Sequence, residues 1–484
     1  MAEPESRLVA VSNRVGPLSD EGQAGGLVVG LSDALKRRGG LWFGWSGETS
    51  DEGTHSQERT EVEGNVAMTT IDLTEEELNG FYYDYANRSL WPLLHYRLDL
   101  AEFDRASDRI YRKVNHRFAV RLMPHLKEND LVWVHDYHFF YMGSELRQAG
   151  YNGRLGYFLH IPFCAPEVFS ALPASHDIVR ALLAYDVIGF QTDTDRRNFV
   201  GFCVRELGGR KLEDGRVEVG DRTVIAKAFP IGIDAESYSR FAVSPEASSH
   251  EEMLLDMSRD RRNLKGEEAE RKLIVGVDRM DYSKGLLERF YGFERLLEDY
   301  PENRGCAIFL QVAPLSRSEL DAYADLRSEL ERTAGHINGR FATLDWTPLQ
   351  MMTRGFTRKA LAGIYRAARV CLVTPLRDGM NLVAKEFVAA QDPEDPGVLV
   401  LSRFAGAHAE LECGCIVVNP YNTDDVAGAL QTALTMPLEE RKRRWELMRE
   451  AVFTGTAQHW CQSFLATLEA VGEAGAGSPP SPPS

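Results

Sequence analysis

The chain has 484 residues, a length that suggests two or three domains. With 44% hydrophobic and 26% charged residues and no apolar run long enough to cross a bilayer, the composition excludes a membrane-spanning or disordered chain and favours a globular protein. The formal net charge of −17 argues against nonspecific binding of nucleic acid. An acidic protein that binds an anion must concentrate its cations at one site, so local clusters of Arg and Lys indicate candidate anion-binding sites.

The N-terminal segment MAEPESRLVAVSNR lacks the basic stretch and apolar core of a secretory signal, which predicts a cytoplasmic location. The seven cysteines are scattered, and only Cys413 and Cys415 lie close together, without the spacing of a metal-binding pair. Free thiols in a reducing compartment are therefore expected.

Short, continuously apolar runs predict the buried strands of parallel sheets, and segments long enough for helices separate them. In the first half of the chain these strands are LVAVSN (8–13), LVWVH (131–135), LGYFLH (155–160) and YDVIGFQ (185–191). In the second half they are KLIVGVD (272–278), AIFLQVA (307–313), VCLVT (370–374), GVLVLS (397–402) and CIVVN (415–419). Each half is thus predicted to be a doubly wound α/β domain.

A polar, helix-like segment follows FPIGID (229–234) and marks the expected domain boundary. We predict an N-terminal domain over residues 1–235 and a C-terminal domain over 236–455. A helix over 456–472 should pack back on the N-terminal domain. The last residues, 473–484, are rich in Gly, Ser and Pro and predict a disordered tail.

Polar groups follow several of these strands, where parallel sheets bind their ligands. In the first half they are Arg14, Asp136 and His160, and in the second they are Arg279, Lys284, Arg317 and the turn RDGMN at 377–381. The cations suit phosphate groups, and Gly25 and Gly26 would let backbone N–H groups approach a ligand at a helix N-terminus. One ligand site between two facing sheets is the expectation.

Two other readings are weak. The DTD at 193–195 resembles a metal-binding pair of aspartates, but nothing nearby in the sequence completes an oxygen-rich shell, so no metal site is predicted. A nicotinamide-dependent oxidoreductase would also use doubly wound sheets, but no strand is followed by GxGxxG with an acidic residue downstream.

The motifs taken in order resemble the trehalose-6-phosphate synthases, retaining glycosyltransferases of family 20. The resemblance runs through SNRV, HDYH, FLHIPF, GFQT, PIGID, DRMDYSKGL, NGRF, WTPL, TPLRDGMNLVAKE and NPYN, and covers nearly the whole chain. It implies the GT-B architecture, an α/β fold of two Rossmann-like doubly wound parallel-sheet domains facing across a cleft. It also implies transfer of glucose from a nucleotide sugar, typically UDP-glucose, to glucose 6-phosphate, giving trehalose 6-phosphate and UDP.

The resemblance assigns roles to individual residues. The catalytic residues would be Asp136, His160, Arg279, Lys284 and Asp378. The donor would be bound by Gly25, Gly26, Arg279, Lys284, Phe356, Asp378, Gly379, Met380, Asn381, Leu382, Val383 and Glu386, with Glu386 on the ribose. The acceptor would be bound by Arg14, Trp45, Tyr83, Trp91, Asp136, His160 and Arg317.

No metal or other cofactor is expected, because cations and helix-end amides can stabilise the departing diphosphate. Retention without a pair of carboxylate nucleophiles would mean attack on the face that the diphosphate leaves, with the diphosphate taking the acceptor proton. The expected partners are the two substrates, with no nucleic acid and no membrane, and a homodimer or homotetramer is compatible with the sequence.

Some positions depart from the family pattern, among them Cys164 and Asp345. They leave open a related transferase with another phosphorylated acceptor, such as a glucosylglycerol-phosphate synthase. A regulator that binds sugar phosphates without catalysis is the alternative from a different class. The nucleotide preference among UDP, GDP and ADP also stays open.

Overall fold

A computed structural model of the chain describes residues 6–16, 18, 26–51, 58–213, 215–258, 271–317 and 320–474. They form two compact units. The first holds the described residues up to Leu18 and those of 27–231 and 457–474, and the second holds those of 232–456. Gly25 and the predicted tail beyond residue 474 lie outside the described residues.

The first unit is built on one ten-stranded sheet. Its strands are β1 (Leu8–Arg14), β2 (Gly40–Ser50), β3 (Arg59–Glu63), β4 (Val66–Thr74), β5 (Leu131–His135), β6 (Arg154–Phe158), β7 (Val187–Phe190), β8 (Arg210–Lys211), β9 (Arg216–Val219) and β10 (Arg222–Ala228). They lie in the order β3-β4-β2-β1-β5-β6-β7-β10-β9-β8. The pairs from β4 to β10 along this order are parallel, whereas β3, β9 and β8 pair antiparallel at the edges.

The helices of this part of the chain connect the parallel strands. They are α1 (Gly26–Arg38), α2 (Glu75–Glu77), α3 (Trp91–Leu94), α4 (Arg105–Leu122), α5 (Met142–Gln148), α6 (Pro166–Phe169), α7 (Ser175–Leu182) and α8 (Asp193–Leu207). A π-helix spans Leu78–Leu90, and short 3₁₀ turns occur at Leu98–Leu100, Met123–His125 and Tyr137–Phe139.

The second unit contains a six-stranded, fully parallel sheet. Its strands are β11 (Lys272–Val277), β12 (Ala307–Val312), β13 (Leu349–Met352), β14 (Val370–Val373), β15 (Val398–Ser402) and β16 (Ile416–Val418), in the order β13-β12-β11-β14-β15-β16. Its helices are α9 (Ala235–Ala242), α10 (Pro245–Ser258), α11 (Leu286–Asp299), α12 (Asp321–Phe341), α13 (Arg358–Ala367), α14 (Leu382–Ala390), α15 (His408–Leu411), α16 (Thr423–Thr435) and α17 (Leu438–Thr454). Two 3₁₀ turns lie at Tyr282–Lys284 and Pro301–Asn303.

Helix α18 (Ala457–Ala474) follows the second unit in sequence but belongs to the first, where it contacts β5, β6 and β7. Its buried Phe464 ring stacks on Trp133 of β5, with ring centroids 4.3 Å apart and an angle of 9° between the planes. A Cβ atom on Gly156 of β6 would lie only 2.7 Å from the Phe464 ring. Glycine at this position therefore lets the helix approach the sheet closely.

The predicted class, an α/β protein with two domains built on parallel sheets, is confirmed by these two sheets. All nine predicted strands occur, with bounds that differ by a few residues. The sequence reading missed β2, β4 and β10, whose apolar residues are interrupted by Gly, Thr or charged residues, and the short β13, LQMM, which contains a Gln. It also missed the antiparallel edge strands β3, β8 and β9, which are short and rich in charged residues. All seven cysteines are free thiols. Among the described residues, no helix is both long and apolar enough to span a membrane.

The packing of α18 predicts a local loss of stability in the first unit. Phe464→Ala should lower the free energy of unfolding by about 3–5 kcal/mol, because it removes a buried ring and leaves a cavity against β5 and β6. Gln462→Ala, at an exposed position of the same helix, should change it by less than about 0.5 kcal/mol. Thermal and denaturant unfolding of the two variants measures the difference, and equal stabilities would contradict this account of the helix.

Candidate active site

Arg14 and Trp45 lie together at neighbouring strand ends in the first unit. Arg14 is the last residue of β1 and Trp45 lies in β2, and the two residues are paired in the parallel register of these strands. The exposed Arg14 guanidinium lies over the indole ring at 5.2 Å from its centroid. A Cβ on Gly47 would strike this guanidinium, so the glycine leaves room for it. A stacked arginine keeps its donors free for a bidentate oxyanion such as a phosphate.

Aromatic residues of the π-helix and α3 lie near Arg14 and Trp45 in the first unit. Tyr82 packs on Trp45 and on Tyr83, with ring centroids 5.9 and 5.3 Å apart, and Tyr83 is half-buried. Trp91, at the start of α3, is buried against Tyr137 at 5.7 Å. Tyr83 thus joins the group of Arg14 and Trp45 through Tyr82, whereas Trp91 belongs to a neighbouring aromatic cluster.

Asp136 and His160 come together after β5 and β6, as the parallel register of these strands requires. The backbone N–H of His160 donates to Oδ1 of Asp136 at 3.2 Å. Asp136 has φ 74°, a left-handed conformation that is costly for a residue with a side chain and that recurs at ligand sites. His160 Nε2 lies 3.1 Å from Nδ1 of His135, and burial lowers the pKa of His160 to about 3, so the imidazole is neutral.

In the second unit, Lys284 and Asp378 form an ion pair at the ends of β11 and β14. Lys284 Nζ lies 2.5 Å from Oδ2 of Asp378, and both side chains are largely buried. Asn381 Nδ2 donates to the same carboxylate oxygen at 3.1 Å. The lysine and the acid are 94 residues apart in sequence, so the parallel sheet is what places a cation beside the turn that opens α14.

The turn 378–381 leads directly into the N-terminus of α14. Asn381 precedes the helix with φ 72° and makes no side-chain capping bond to it. The first backbone N–H groups of a helix have no partner within the helix, and they carry partial positive charge. Gly379, Met380, Leu382 and Val383 surround this end of the helix, which suits an oxyanion.

Glu386 lies one helical turn into α14 and faces two tyrosines. The hydroxyl groups of Tyr238 and Tyr365 donate to its Oε2 at 3.3 and 3.5 Å. Burial raises the pKa of Glu386 above its usual value of 4.5, opposed by the nearby Arg358. One carboxylate oxygen is thus held by the tyrosines, and Oε1 is available to a ligand that brings hydroxyl donors.

Arg317 is held by a buried carboxylate that sequence reasoning did not single out. Its Nη1 lies 3.4 Å from Oδ2 of Asp281 and donates to the Tyr323 hydroxyl at 2.8 Å, and its backbone has φ 49°. Burial would raise the pKa of Asp281, but the charges of Arg317, Lys284 and Arg279 lower it to about 2. Asp281 is therefore a counter-ion shared by three of the predicted substrate-binding cations.

The remaining predicted residues are less enclosed. The Arg279 side chain is exposed after β11, and Phe356 is half-buried with the Arg354 guanidinium over its ring at 4.9 Å. Gly26 opens α1, and Gly25 lies outside the described residues. Two of the positions that depart from the family pattern make contacts within the fold. Cys164 is buried, and Asp345 forms an ion pair with Arg271 at 2.9 Å.

Sequence reasoning missed several polar side chains that support the site. Asp281 lies inside the motif DRMDYSKG, between the two cations that were chosen, and His135 precedes Asp136 directly, so both were within reach. Tyr238 lies in the segment read as a polar connection, which gave no signal for it. In the parts of the chain that the structure describes, no group of three or more His, Cys, Asp or Glu residues could hold a metal ion.

Comparison with known proteins supports one family. The family model described as glycosyltransferase family 20 matches residues 10–470. A trehalose-6-phosphate synthase of Salmonella arizonae is 46% identical over 466 residues, 96% of each chain.

Two solved structures resemble the chain closely. A UDP-forming α,α-trehalose-phosphate synthase of Burkholderia xenovorans, in complex with glucose-6-phosphate, is 45% identical with a TM-score of 0.89, over 96% of this chain and 100% of that one. An E. coli structure bound with UDP-2-fluoro glucose is 43% identical with a TM-score of 0.90, over 96% and 99%. The predicted GT-B class is confirmed by these neighbours, and the chain belongs to glycosyltransferase family 20.

Proposed function

We propose that this protein transfers glucose from UDP-glucose to glucose 6-phosphate with retention, giving α,α-trehalose 6-phosphate and UDP. The observation that carries the proposal is the grouping of Lys284, Asp378 and the α14 N-terminus at adjacent strand ends, with Glu386 one turn further into the helix. This arrangement suits a nucleoside diphosphate sugar. The complexes of its relatives with glucose-6-phosphate and with UDP-2-fluoro glucose support the same pair of substrates.

The second unit would bind the donor. Arg279 and Lys284 supply positive charge for the diphosphate, and the backbone N–H groups at the start of α14 add hydrogen-bond donors. Glu386 accepts hydrogen bonds from the ribose hydroxyls, and Asp378 accepts one from a glucose hydroxyl. These groups bind the diphosphate more strongly as negative charge develops on it in the transition state, so they lower the barrier to glucose transfer.

Arg14, Tyr83 and Arg317 would hold the acceptor phosphate, and Trp45 and Trp91 would border the acceptor sugar. Asp136 and His160 would contact the sugars where they react. The bond between glucose C1 and the diphosphate oxygen breaks, and the acceptor hydroxyl oxygen bonds to C1 on the same face. The acceptor proton passes to the leaving diphosphate, so no protein base is required. The reaction as proposed needs no metal ion.

The proposed reaction is tested directly. Purified protein given UDP-glucose and glucose 6-phosphate should release UDP and form a non-reducing disaccharide phosphate, and EDTA should leave the rate unchanged. ADP-glucose, GDP-glucose and alternative acceptors such as glycerol 3-phosphate complete the screen, read by nucleotide release and mass spectrometry. Turnover with glycerol 3-phosphate but none with glucose 6-phosphate would overturn the acceptor assignment.

The cations of the second unit should act on the donor. Arg279→Ala and Lys284→Ala should each lower kcat/KM for UDP-glucose by about 10²- to 10³-fold, the usual effect of removing one group that stabilises transition-state charge. Arg327→Ala serves as the matched control, because it removes an exposed cation that, among the described residues, pairs with Glu331 alone. Steady-state kinetics with each substrate varied in turn measures the effect. The assignment fails if Arg279→Ala and Lys284→Ala behave like the control.

Glu386 should give donor binding a dependence on pH. Because burial raises its pKa, protonation begins at a higher pH than for an exposed glutamate. As the pH falls through this raised value, the ribose loses an acceptor and KM for UDP-glucose should rise. In Glu386→Gln that KM should be high at all pH values and should lack this step.

The same shift predicts how Glu386→Gln changes stability. A carboxyl whose pKa is raised in the folded state loses folding free energy as the pH rises from its unfolded-state pKa to the raised value, and the loss is complete above it, so Glu386 weakens the fold at neutral pH. Glu386→Gln should therefore unfold at the same temperature as the unmodified protein or higher. An unfolding midpoint clearly below that of the unmodified protein would show that the glutamate supports the fold instead.

A further inference from the structure

Two histidines of the first unit form a hydrogen-bonded pair beneath the candidate site. His135 ends β5 and is fully buried, and His160 follows β6 and is partly exposed. Nδ1 of His135 lies 3.1 Å from Nε2 of His160. The proposed function gives His160 a contact with the reacting sugars but leaves His135 without a role.

The surroundings of the pair are aromatic. The ring of His135 lies 4.5 Å from Trp133 and 6.3 Å from Trp460, and the ring of His160 lies 4.7 Å from Phe158 and 5.8 Å from Trp460, between centroids. Burial lowers the pKa of both histidines, and their proximity lowers that of His135 further. Both rings are therefore neutral near pH 7, and each carries a single N–H.

With one N–H on each ring, the hydrogen bond can run in two directions. If His160 donates from Nε2, the proton of His135 must lie on its own Nε2, which is buried and has no partner among the described residues. If His135 donates from Nδ1, that buried Nε2 is a bare acceptor instead. A buried N–H group without an acceptor is the rarer and costlier defect. In the part of the chain that the structure describes, the neighbouring indole N–H groups of Trp133 and Trp460 are also buried donors without partners, so an acceptor suits this place better than a third donor.

The consequence for His160 is a defined tautomer. When its Nε2 accepts from His135, its proton must lie on Nδ1. Nδ1 of His160 makes no hydrogen bond to any of the described residues, and it is not fully buried. The exposed nitrogen is then a donor, able to bind a hydroxyl oxygen of a sugar and unable to remove a proton.

We infer that His135 is a positioning residue, which fixes His160 as the Nδ1–H tautomer so that His160 presents a hydrogen-bond donor to a bound sugar. The inference rests on the proposed function for the identity of the ligand. It agrees with transfer in which the leaving diphosphate takes the acceptor proton, because a His160 held in this form cannot act as the base.

Nitrogen NMR reads the tautomer directly. In protein labelled with ¹⁵N in its histidines, the His160 ring should show a protonated Nδ1 and an unprotonated Nε2 at neutral pH, and the His135 ring should show the same pattern. His160→Gln and His135→Asn spectra assign the resonances. A protonated Nε2 on His160 would overturn the inference. This measurement needs no substrate, so it decides the tautomer even if the proposed reaction is absent.

Kinetics tests whether the pairing matters. His135→Leu removes the donor and should lower kcat about 10- to 100-fold, the range seen when the partner that orients a functional histidine is lost. His135→Asn is nearly isosteric with the leucine variant and offers an amide N–H, so its kcat should stay within about threefold of the unmodified enzyme. Circular dichroism and the unfolding temperature check the fold of both.

The two variants separate orientation from packing. Equal losses of kcat in folded His135→Asn and His135→Leu, or no loss in either, would overturn the positioning role. If His135→Leu does not fold, the Asn variant and the NMR spectrum still decide, because a variant that supplies the N–H must retain both turnover and the His160 tautomer. A complete absence of turnover in the unmodified protein would overturn the proposed function alone.

Discussion

In the second unit, the strand ends that carry Lys284 and Asp378 depend on the fully buried guanidinium of Arg289. From α11 it donates to Asp278 after β11 at 2.8 Å, to Gln311 in β12 at 2.9 Å and to Thr374 after β14 at 3.0 Å. A buried charge is tolerated only when it is paired and its donors are satisfied, and here one side chain binds the ends of three adjacent parallel strands. Removing it would leave the Asp278 carboxylate buried without its ion pair.

The ion pair of Arg289 and Asp278 is connected to the turn 378–381 through a further hydrogen bond. Asn381 Nδ2 donates to Oδ1 of Asp278 at 3.2 Å as well as to Asp378, and the strained backbone of Asn381 is thereby held in place. Asp378 in turn pairs with Lys284. Arg289 thus positions Lys284 and the α14 N-terminus indirectly, so that the charges proposed to meet a departing diphosphate are oriented in advance.

This chain of contacts explains what could be predicted from the sequence. Parallel strands end at one edge, so polar residues that follow apolar runs, such as Asp136, Lys284 and Asp378, could be named as candidates for a ligand site from the pattern, and their roles came from the family resemblance. Arg289 could not, because an arginine in an amphipathic helix has the pattern of a solvated side chain, and only the tertiary fold buries it. Tyr238 was hidden for the same reason, since its partner Glu386 is 148 residues away. Local sequence therefore indicates candidate ligand-binding residues but not the buried residues that hold them in place.

Both proposed substrates are anions, so the cations proposed to bind them repel one another when no substrate is present. Asp281 is the counter-ion of Arg317, Lys284 and Arg279, and the charges of these three cations lower its pKa. Asp281 is buried and also accepts from the Tyr323 hydroxyl at 3.0 Å, so its position does not depend on the cations alone. The cations can then share their charge between a fixed internal carboxylate and the substrate phosphates. A buried carboxylate among three cations reduces the repulsion between them in the absence of a ligand, which would lower the reorganisation that binding and transfer require.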